Sequence, residues 1–165
     1  MSFLDLIISR RSIRDYQKRQ IPEDVLQKIL EAGRQAPSAA NRQPIHFVVV
    51  TDPEILKNLC DKLINRFVKH APVAVVGFAD TKSLLTGKWA IVDTTIAMQN
   101  MVIAALTFRI GSCWVGACNE KELKTLLKVP AKWKFVGLIT LGYPSEQPRS
   151  RKKKQFEKLF SFNSF

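Results

Sequence analysis

The sequence lacks the short motifs that mark the most common classes of nucleotide-, metal- and serine-dependent enzymes. It contains no Walker-type phosphate loop, no G-x-G-x-x-G after a strand, no H-E-x-x-H and no G-x-S-x-G. Its only two histidines, His46 and His70, each lie beside a predicted strand and lack the partners that a triad or metal centre needs. We therefore expect no metal site. The pattern favours an enzyme whose reactive atom belongs to a bound cofactor, because such a protein mainly binds and orients.

Cysteine is scarce: the chain has three, which are Cys60, Cys113 and Cys118. An odd number cannot all pair within the chain, and the N-terminus has helical spacing rather than the pattern of a secretory signal. Cys113 and Cys118 lack the second pair of ligands that a zinc site requires, so we interpret them as structural residues. These features predict a reducing, cytoplasmic setting.

Long uninterrupted apolar runs are also absent. The most apolar stretch, Ala90 to Phe108, contains Asp93, Gln99 and Asn100 among other polar residues. It therefore lacks the run of about 18 apolar residues that a membrane span needs. Its apolar residues nevertheless cover most of a helical circumference, which demands burial on several sides. We expect a soluble protein in which this helix is the centre of the fold or lies at a subunit interface.

Acidic residues are outnumbered, with 26 Lys and Arg against 14 Asp and Glu, for a formal charge of +12. A basic chain favours anionic partners such as phosphorylated cofactors, nucleic acid or anionic membrane surfaces. A nucleic-acid-binding module is the main alternative from another class. It requires aromatic residues among exposed basic ones, whereas the strands predicted here are apolar and buried. We interpret Arg149–Lys154 as a solvated face, with the 2′-phosphate of NADPH or an acidic partner as alternatives.

Helical and strand-like segments alternate along a chain whose 165 residues suit one domain, with a basic and aromatic tail from about residue 145. Predicted strands cover His46–Thr51, Pro72–Ala79, Cys113–Ala117 and Phe135–Leu141, and predicted helices cover Ser2–Ile8, Pro22–Gly33, Asp52 to about Phe67, Ala90–Phe108 and Glu120–Lys128. We predict an α/β fold of the α+β type, in which helices flank a central mixed sheet.

A cationic turn follows the first helix. Arg10, Arg11, Ser12 and Arg14 place three guanidinium groups and a hydroxyl within five residues. This composition suits bidentate, charge-assisted binding of a phosphate. The alternative is a solvated basic turn of the kind found on many protein surfaces.

Four segments in collinear order resemble the nitroreductase-like flavoproteins. Arg10–Arg14 matches the family's R-x-S-x-R turn, and Pro37–Phe47 matches its P-S-x-x-N-x-Q-P-W-x-F segment, with Ile45 in place of the usual tryptophan. Gly111–Gly116 is similar to the strand beneath the flavin ring, and Gly142–Arg151 is similar to the phosphate-binding end. The resemblance spans nearly the whole chain and implies the nitroreductase-like fold.

The resemblance also implies FMN as the cofactor and assigns a role to each matched segment. Arg10, Ser12, Arg149 and Arg151 would bind the FMN phosphate, with Arg11 in the same cofactor-binding turn. Arg14 would reach the pyrimidine side of the ring, where a cation stabilises the negative charge that develops on reduction. The backbone of Val115 and Gly116 would face flavin N5. The resemblance implies no catalytic side chain, since the chemistry takes place on the flavin.

In the family arrangement a second subunit completes the site. The residues it would contribute are Pro37, Ser38, Asn41 and Gln43, so the resemblance implies a homodimer with FMN at the interface. The implied reaction transfers two electrons from NADH or NADPH to an electron-poor acceptor, such as a nitroaromatic or a quinone, with ping-pong kinetics. Flavoenzymes of the same fold that remove halogens or fragment the flavin are the alternatives. Longer family members insert segments that shape the substrate pocket at the position of the connection Thr81–Lys88, which is short here. The substrates of those members therefore cannot be assigned to this chain.

Overall fold

The computed structural model describes residues 2–60, 64–82, 84 and 87–165. Helices and strands alternate along these residues, as the sequence predicts. The helices are α1 (Phe3–Ser9), α2 (Glu23–Arg34), α3 (Pro53–Asn58), α4 (Ala90–Thr107) and α5 (Glu120–Leu126), and the strands are β1 (Ile45–Val50), β2 (Val73–Asp80), β3 (Gly111–Val115) and β4 (Trp133–Gly142).

Side-chain caps start three of the helices where the sequence places them. Ser2 and Asp5 form a reciprocal capping box on α1, and the backbone bond from Ser2 lowers the pKa of Asp5. The Asp52 carboxylate accepts from two N–H groups of α3, and the Asn119 side chain does the same for α5. The predicted extension of α3 to about Phe67 is wrong, because α3 ends at Asn58 and a separate 3₁₀ turn covers Arg66–His70. Residues 61–63 of that prediction lie outside the described residues.

The four strands form one sheet in the order β1-β2-β4-β3. All three strand pairs are antiparallel, and among the described residues parallel pairing is limited to one bridge between Ser12 and Ser112. The expected mixed sheet is corrected on this point, because apolar patterning shows which residues are buried but not which way a strand runs. β1 is an edge strand with His46 and Val49 exposed, so its apolar run does not reflect full burial.

Helices cover both faces of the sheet, as predicted. On one face, Val75 and Ile139 of the sheet pack with α2 and α4; on the other, Val76 and Leu138 pack with α3 and α5. The alternation follows from the period of two along each strand. α2 approaches α4 so closely that a Cβ at Gly33 would clash with Met101.

α4 is the central helix of the fold. By length and composition it could also cross a membrane, a test that the core helix of a soluble protein passes as well. Eight of its residues are buried within the domain: Ala90, Asp93, Thr94, Ala97, Met98, Met101, Val102 and Ala105. Its opposite side carries exposed apolar residues, among them Ile91 and Val92.

Two of the three cysteines are joined. A disulfide links Cys60 and Cys118 across 58 residues, and Cys113 is free and buried. The sequence did not predict this pair, because cysteine spacing does not determine connectivity. No cluster of metal-binding residues occurs in the part of the chain that the structure describes.

Candidate functional site

The cationic turn after α1 docks on the edge strand β3. The backbone N–H of Ile13 donates to the carbonyl of Ser112 over 2.9 Å, and Ser12 pairs with Ser112 in a parallel bridge. The Ile13 side chain is buried, and a Cβ at Gly111 would clash with it. The turn is therefore anchored through its apolar residue, whereas Arg14 stays exposed.

The same turn also binds the segment that follows β4. Gln17 N–H donates to Tyr143 O over 2.8 Å, and Ser145 N–H donates to Asp15 O over 3.1 Å. The Glu146 carboxylate accepts from the N–H groups of Arg14 and Asp15 at 2.5 and 3.1 Å. The two ends of the chain thus converge at this corner of the sheet. Glu146 is not predictable from the sequence, because no local pattern distinguishes it from a surface acid.

Three of the predicted cofactor-binding side chains influence the Cys113 thiol. Burial raises the pKa of this thiol, while Arg14, the Ser12 hydroxyl and Arg10 act in the opposite direction. Arg14 also lies 5.8 Å from the centre of the Phe67 ring. Arg10, Ser12 and Arg14 therefore all act on the same buried thiol, and the Glu146 carboxylate at this corner acts against them.

Arg11 takes a different position within the same turn. Its Nη1 donates to the carbonyls of Ile8 and Arg10, each over 2.8 Å. A cation at the C-terminal end of a helix satisfies carbonyls that have no partner within that helix. The structure therefore gives Arg11 a capping role at the end of α1.

Arg149 and Arg151 lie on the exposed segment after Glu146 and make no hydrogen bond or ion pair with other described residues. Arg149 is three residues from Glu146, a span of at most about 11 Å of extended chain. Because Glu146 is bound to the turn, both arginines are tethered near Arg10 and Ser12. The structure therefore places both arginines on the segment that leaves this corner of the sheet, without fixing their side chains on the turn.

A buried phenol holds the turn in place. Tyr16 Oη donates to Ile13 O over 2.6 Å and lies 2.7 Å from Thr140 Oγ1 on β4. Burial raises the pKa of Tyr16 above its ordinary value of 10.0, because the charged form would lose its hydration.

We expect Tyr16→Phe to lower the free energy of unfolding by about 1–2 kcal/mol, because a buried hydroxyl bonded to two groups is lost. The raised pKa also makes wild-type stability fall as the pH rises above 10, since the unfolded chain then releases a proton that the folded chain retains. Urea unfolding at pH 8 and above pH 10 measures both effects, with Tyr143→Phe as the control. Equal stability of Tyr16→Phe and wild type would contradict this role.

The other end of β3 presents open backbone. Gly116 follows Val115 directly and is exposed, and a Cβ built on it would meet no protein atom within 4 Å. Ser112, which pairs with the turn, lies four residues earlier, or about 13 Å along an extended strand. The cationic turn and the open glycine thus lie along one edge strand. A phosphate at the turn and a flat ring against Gly116 fit this edge.

The loop that precedes β1 carries the remaining predicted residues. Within it, the Ser38 hydroxyl accepts from Gln43 N–H over 3.0 Å, and Gln43 Nε2 donates to the Asn41 side chain over 3.2 Å. Asn41 and Gln43 both have positive φ, near 52°, a conformation that costs energy for residues other than glycine and is enriched at ligand sites. Pro37 lies exposed at the start of the loop.

A buried carboxylate on α4 anchors this loop. Both oxygens of Asp93 accept from Ala39 N–H, at 3.2 and 3.3 Å, and Asp93 is 4% exposed. In the sequence, Asp93 stands out only as a polar interruption of an apolar helix. A charge inside an apolar helix was the available signal, since buried carboxylates normally have a specific partner.

The loop and the cationic turn lie at opposite corners of the sheet. Ile45, just after the loop, pairs with Ala79 on β2, whereas Ser112 beside the turn is in line with Leu141 and Val73. Six residues along β2 separate these rows by about 20 Å, and three strand spacings add about 14 Å across. One copy of the chain therefore does not bring Asn41 and Gln43 to Arg10.

Comparison with known proteins gives the family. The family model described as "Nitroreductase family" matches residues 7–86 and 60–143. A protein of Methanothermobacter thermautotrophicus provisionally named NADH dehydrogenase/NAD(P)H nitroreductase is 36% identical over 92% of this chain and 82% of its own length. A protein of the same name from Archaeoglobus fulgidus is 37% identical, over 87% and 86%.

A solved structure agrees with these relatives. The FMN-dependent nitroreductase from Clostridium difficile R20291 superposes with a TM-score of 0.89 at 31% identity, covering 98% of this chain and 99% of its own. The match extends over the turn, the loop, β3 and the segment after β4. With the family model covering most of the chain, this protein belongs to the nitroreductase family.

Proposed function

We propose that this protein is an FMN-dependent oxidoreductase that uses NAD(P)H to reduce a small electron-poor acceptor, such as a nitroaromatic or a quinone, by a ping-pong mechanism. When bound, FMN supplies the two-electron redox chemistry, first with the nicotinamide and then with the acceptor. The observation that carries this proposal is the arrangement along the edge strand β3, where the cationic turn pairs with Ser112 near one end and the exposed Gly116 follows the other end. Related proteins that are named for FMN and NAD(P)H support it.

Arg10 and Ser12 would hold the phosphate, with Arg149 and Arg151 closing over it from the other end of the chain. Bidentate guanidinium groups suit a phosphate dianion. The phosphate itself supplies the negative charge that pairs with them, so no acidic side chain is needed as their partner. Glu146 would position this corner by binding the backbone of Arg14, which leaves the Arg14 side chain directed by other contacts. Arg14 would stabilise negative charge on the pyrimidine side of the ring.

Gly116 would allow the flavin ring to approach the backbone of β3. We expect Gly116→Val to weaken FMN binding at least about tenfold, because the added side chain would occupy the open space that the ring requires. The free energy of unfolding should change little, since no protein atom is within reach of a Cβ there. Fluorescence titration with FMN and urea unfolding separate the two effects. Gly116→Ala provides a graded control, and unchanged affinity in Gly116→Val would place the ring elsewhere.

A homodimer would complete the site, with Pro37, Ser38, Asn41 and Gln43 reaching the flavin of the partner subunit. The distance between the two corners within one chain supports this arrangement. So do apolar residues at the two ends of the chain that one copy leaves more than half exposed. They include Phe3, Leu4 and Ile8 on α1 and Phe156, Leu159, Phe160, Phe162 and Phe165 on the tail. Exposed apolar area of this extent is typical of an interface. We propose a single cytoplasmic domain whose tail packs on the partner subunit.

The test is a visible spectrum of the purified protein, followed by anaerobic addition of NADH or NADPH. The proposal expects a yellow protein that bleaches with either nucleotide and recovers its colour when a quinone is added. A protein that stays yellow would retain the flavin site but exclude NAD(P)H as the reductant, in favour of another flavin reaction such as dehalogenation. A colourless protein that does not bind added FMN would overturn the proposal, and salt-dependent binding to oligonucleotides would then be tested.

A further inference from the structure

The disulfide lies next to the loop that carries Gly116. Cys60 and Cys118 have Cα atoms 4.9 Å apart, a separation that suits a disulfide. Both residues are half-buried, whereas the free Cys113 is buried and 2% exposed. Thiol reactivity requires access to the sulfur. The pair is therefore the accessible sulfur centre of the described chain.

A cavity of about 150 Å³ lies against Cys60. Three cationic side chains line it, and none of its described lining residues is acidic: the lining is Leu56, Lys57, Cys60, Asn65, Arg66, Val68 and Lys69. Lys57 also pairs with Glu54 at 3.6 Å, so Arg66 and Lys69 contribute most of the net charge of the described lining. A small cavity with cationic walls raises the local concentration of anions. The sulfur of Cys60 forms part of the same wall.

We propose that the Cys60–Cys118 disulfide is an exchange site for small anionic thiols, which the cavity binds. The thiolate of the small molecule attacks Sγ of Cys60, the bond between the two cysteine sulfurs breaks, and Cys118 leaves as a thiolate. The small thiol becomes oxidised in a mixed disulfide with Cys60, and Cys118 becomes reduced. A second thiol then releases Cys60 and leaves as the symmetrical disulfide, so the electrons balance without another reactant.

Exchange at this site acts on the loop beside the flavin. Cys118 N–H donates to Gly116 O over 3.2 Å, and Asn65 Nδ2 donates to Ala117 O over 2.6 Å. Opening the disulfide removes the covalent link of this loop to Cys60 and leaves the hydrogen bond from Asn65. The loop is then less preorganised, and a ligand must order the loop when it binds. This consequence rests on the proposed flavin site at Gly116.

The exchange site is tested on the protein without added flavin. The rates of disulfide opening by mercaptoacetate and by neutral 2-mercaptoethanol, each corrected for its thiolate fraction, are compared by trapping the released thiols and measuring the mass. We expect mercaptoacetate to react about tenfold faster and an Arg66→Gln/Lys69→Gln variant to lose that advantage, while Lys121→Gln, on the surface of α5, keeps it. In Cys118→Ser, the disulfide of mercaptoacetate should add to Cys60. Equal corrected rates for the two thiols would overturn the site.

The consequence for the loop is tested by FMN affinity. We expect reduced protein to bind FMN about 2- to 10-fold more weakly than oxidised protein, and Cys60→Ser to match the reduced form in the presence or absence of dithiothreitol. Equal affinity of the two forms would overturn the effect on the loop while the flavin site stands. If neither form bound FMN, the proposed function and this effect would both fail. The exchange rates would still show whether the disulfide is an exchange site for anionic thiols.

Discussion

Arg10→Ala should bind FMN about 10- to 100-fold more weakly than the wild type, because it removes charge-assisted hydrogen bonds to the phosphate. Arg10 is half-buried at the start of the cationic turn, and its positive charge acts on Cys113 of β3. Affinity is measured by quenching of flavin fluorescence, and NAD(P)H-dependent quinone reduction should fall in parallel at limiting FMN. The matched control is Arg34→Ala, which removes only an exposed ion pair with Glu31. Equal effects of the two substitutions would contradict the phosphate role.

The same variant also tests whether two subunits build each site. Gln43→Ala should weaken FMN binding as well, because this residue lies on the loop that would reach the flavin of the partner subunit. Within one chain, that loop lies at the corner of the sheet opposite the cationic turn. In a mixed dimer of Arg10→Ala and Gln43→Ala, one site would carry both substitutions and the other would carry neither. Co-expression with two different affinity tags should therefore restore about one native flavin site per mixed dimer. If each chain builds its own site, the mixed dimer would have none.

Val92→Glu should convert the protein into a monomer that holds no flavin. Val92 is 44% exposed on the outer side of α4, near the exposed Trp89 and Ile91, and its burial by a partner would place the introduced carboxylate in an apolar contact. An unpaired buried charge costs several kcal/mol, enough to raise the dimer dissociation constant about 100-fold or more. Size-exclusion chromatography with light scattering measures the mass, and the visible spectrum measures the bound flavin.

The matched control for this change is Val49→Glu on the edge strand β1. Val49 is 37% exposed and lies outside the apolar side of α4, so this variant should stay dimeric and yellow. A Val92→Glu protein that remained a flavin-bound dimer would show that the interface lies elsewhere. A monomer that kept full FMN affinity would contradict the two-subunit site while leaving the assignment of the α4 interface intact.

Local chemistry made much of the fold predictable. The caps at Ser2, Asp52 and Asn119 start their helices as expected, because each side-chain oxygen can reach N–H groups two or three residues away. The end of α3 was not predictable in the same way. Asp52 and Pro53 mark where α3 begins, but no Gly or Pro follows Asn58 to mark where it ends. The structure ends α3 at Asn58 and packs Val68 of the later 3₁₀ turn into the same core cluster as Leu56 of α3.

By itself, the sequence determined the motifs, the order of helices and strands, and the family, since all of these depend on residue type and spacing along the chain. Only the tertiary structure decided that the sheet is antiparallel, that Arg11 caps α1, that Glu146 binds the cationic turn and that Asp93 binds the loop before β1. It also decided that Cys60 meets Cys118. Each of these contacts joins residues through space or depends on strand direction, and the sequence carries no periodic signal for either.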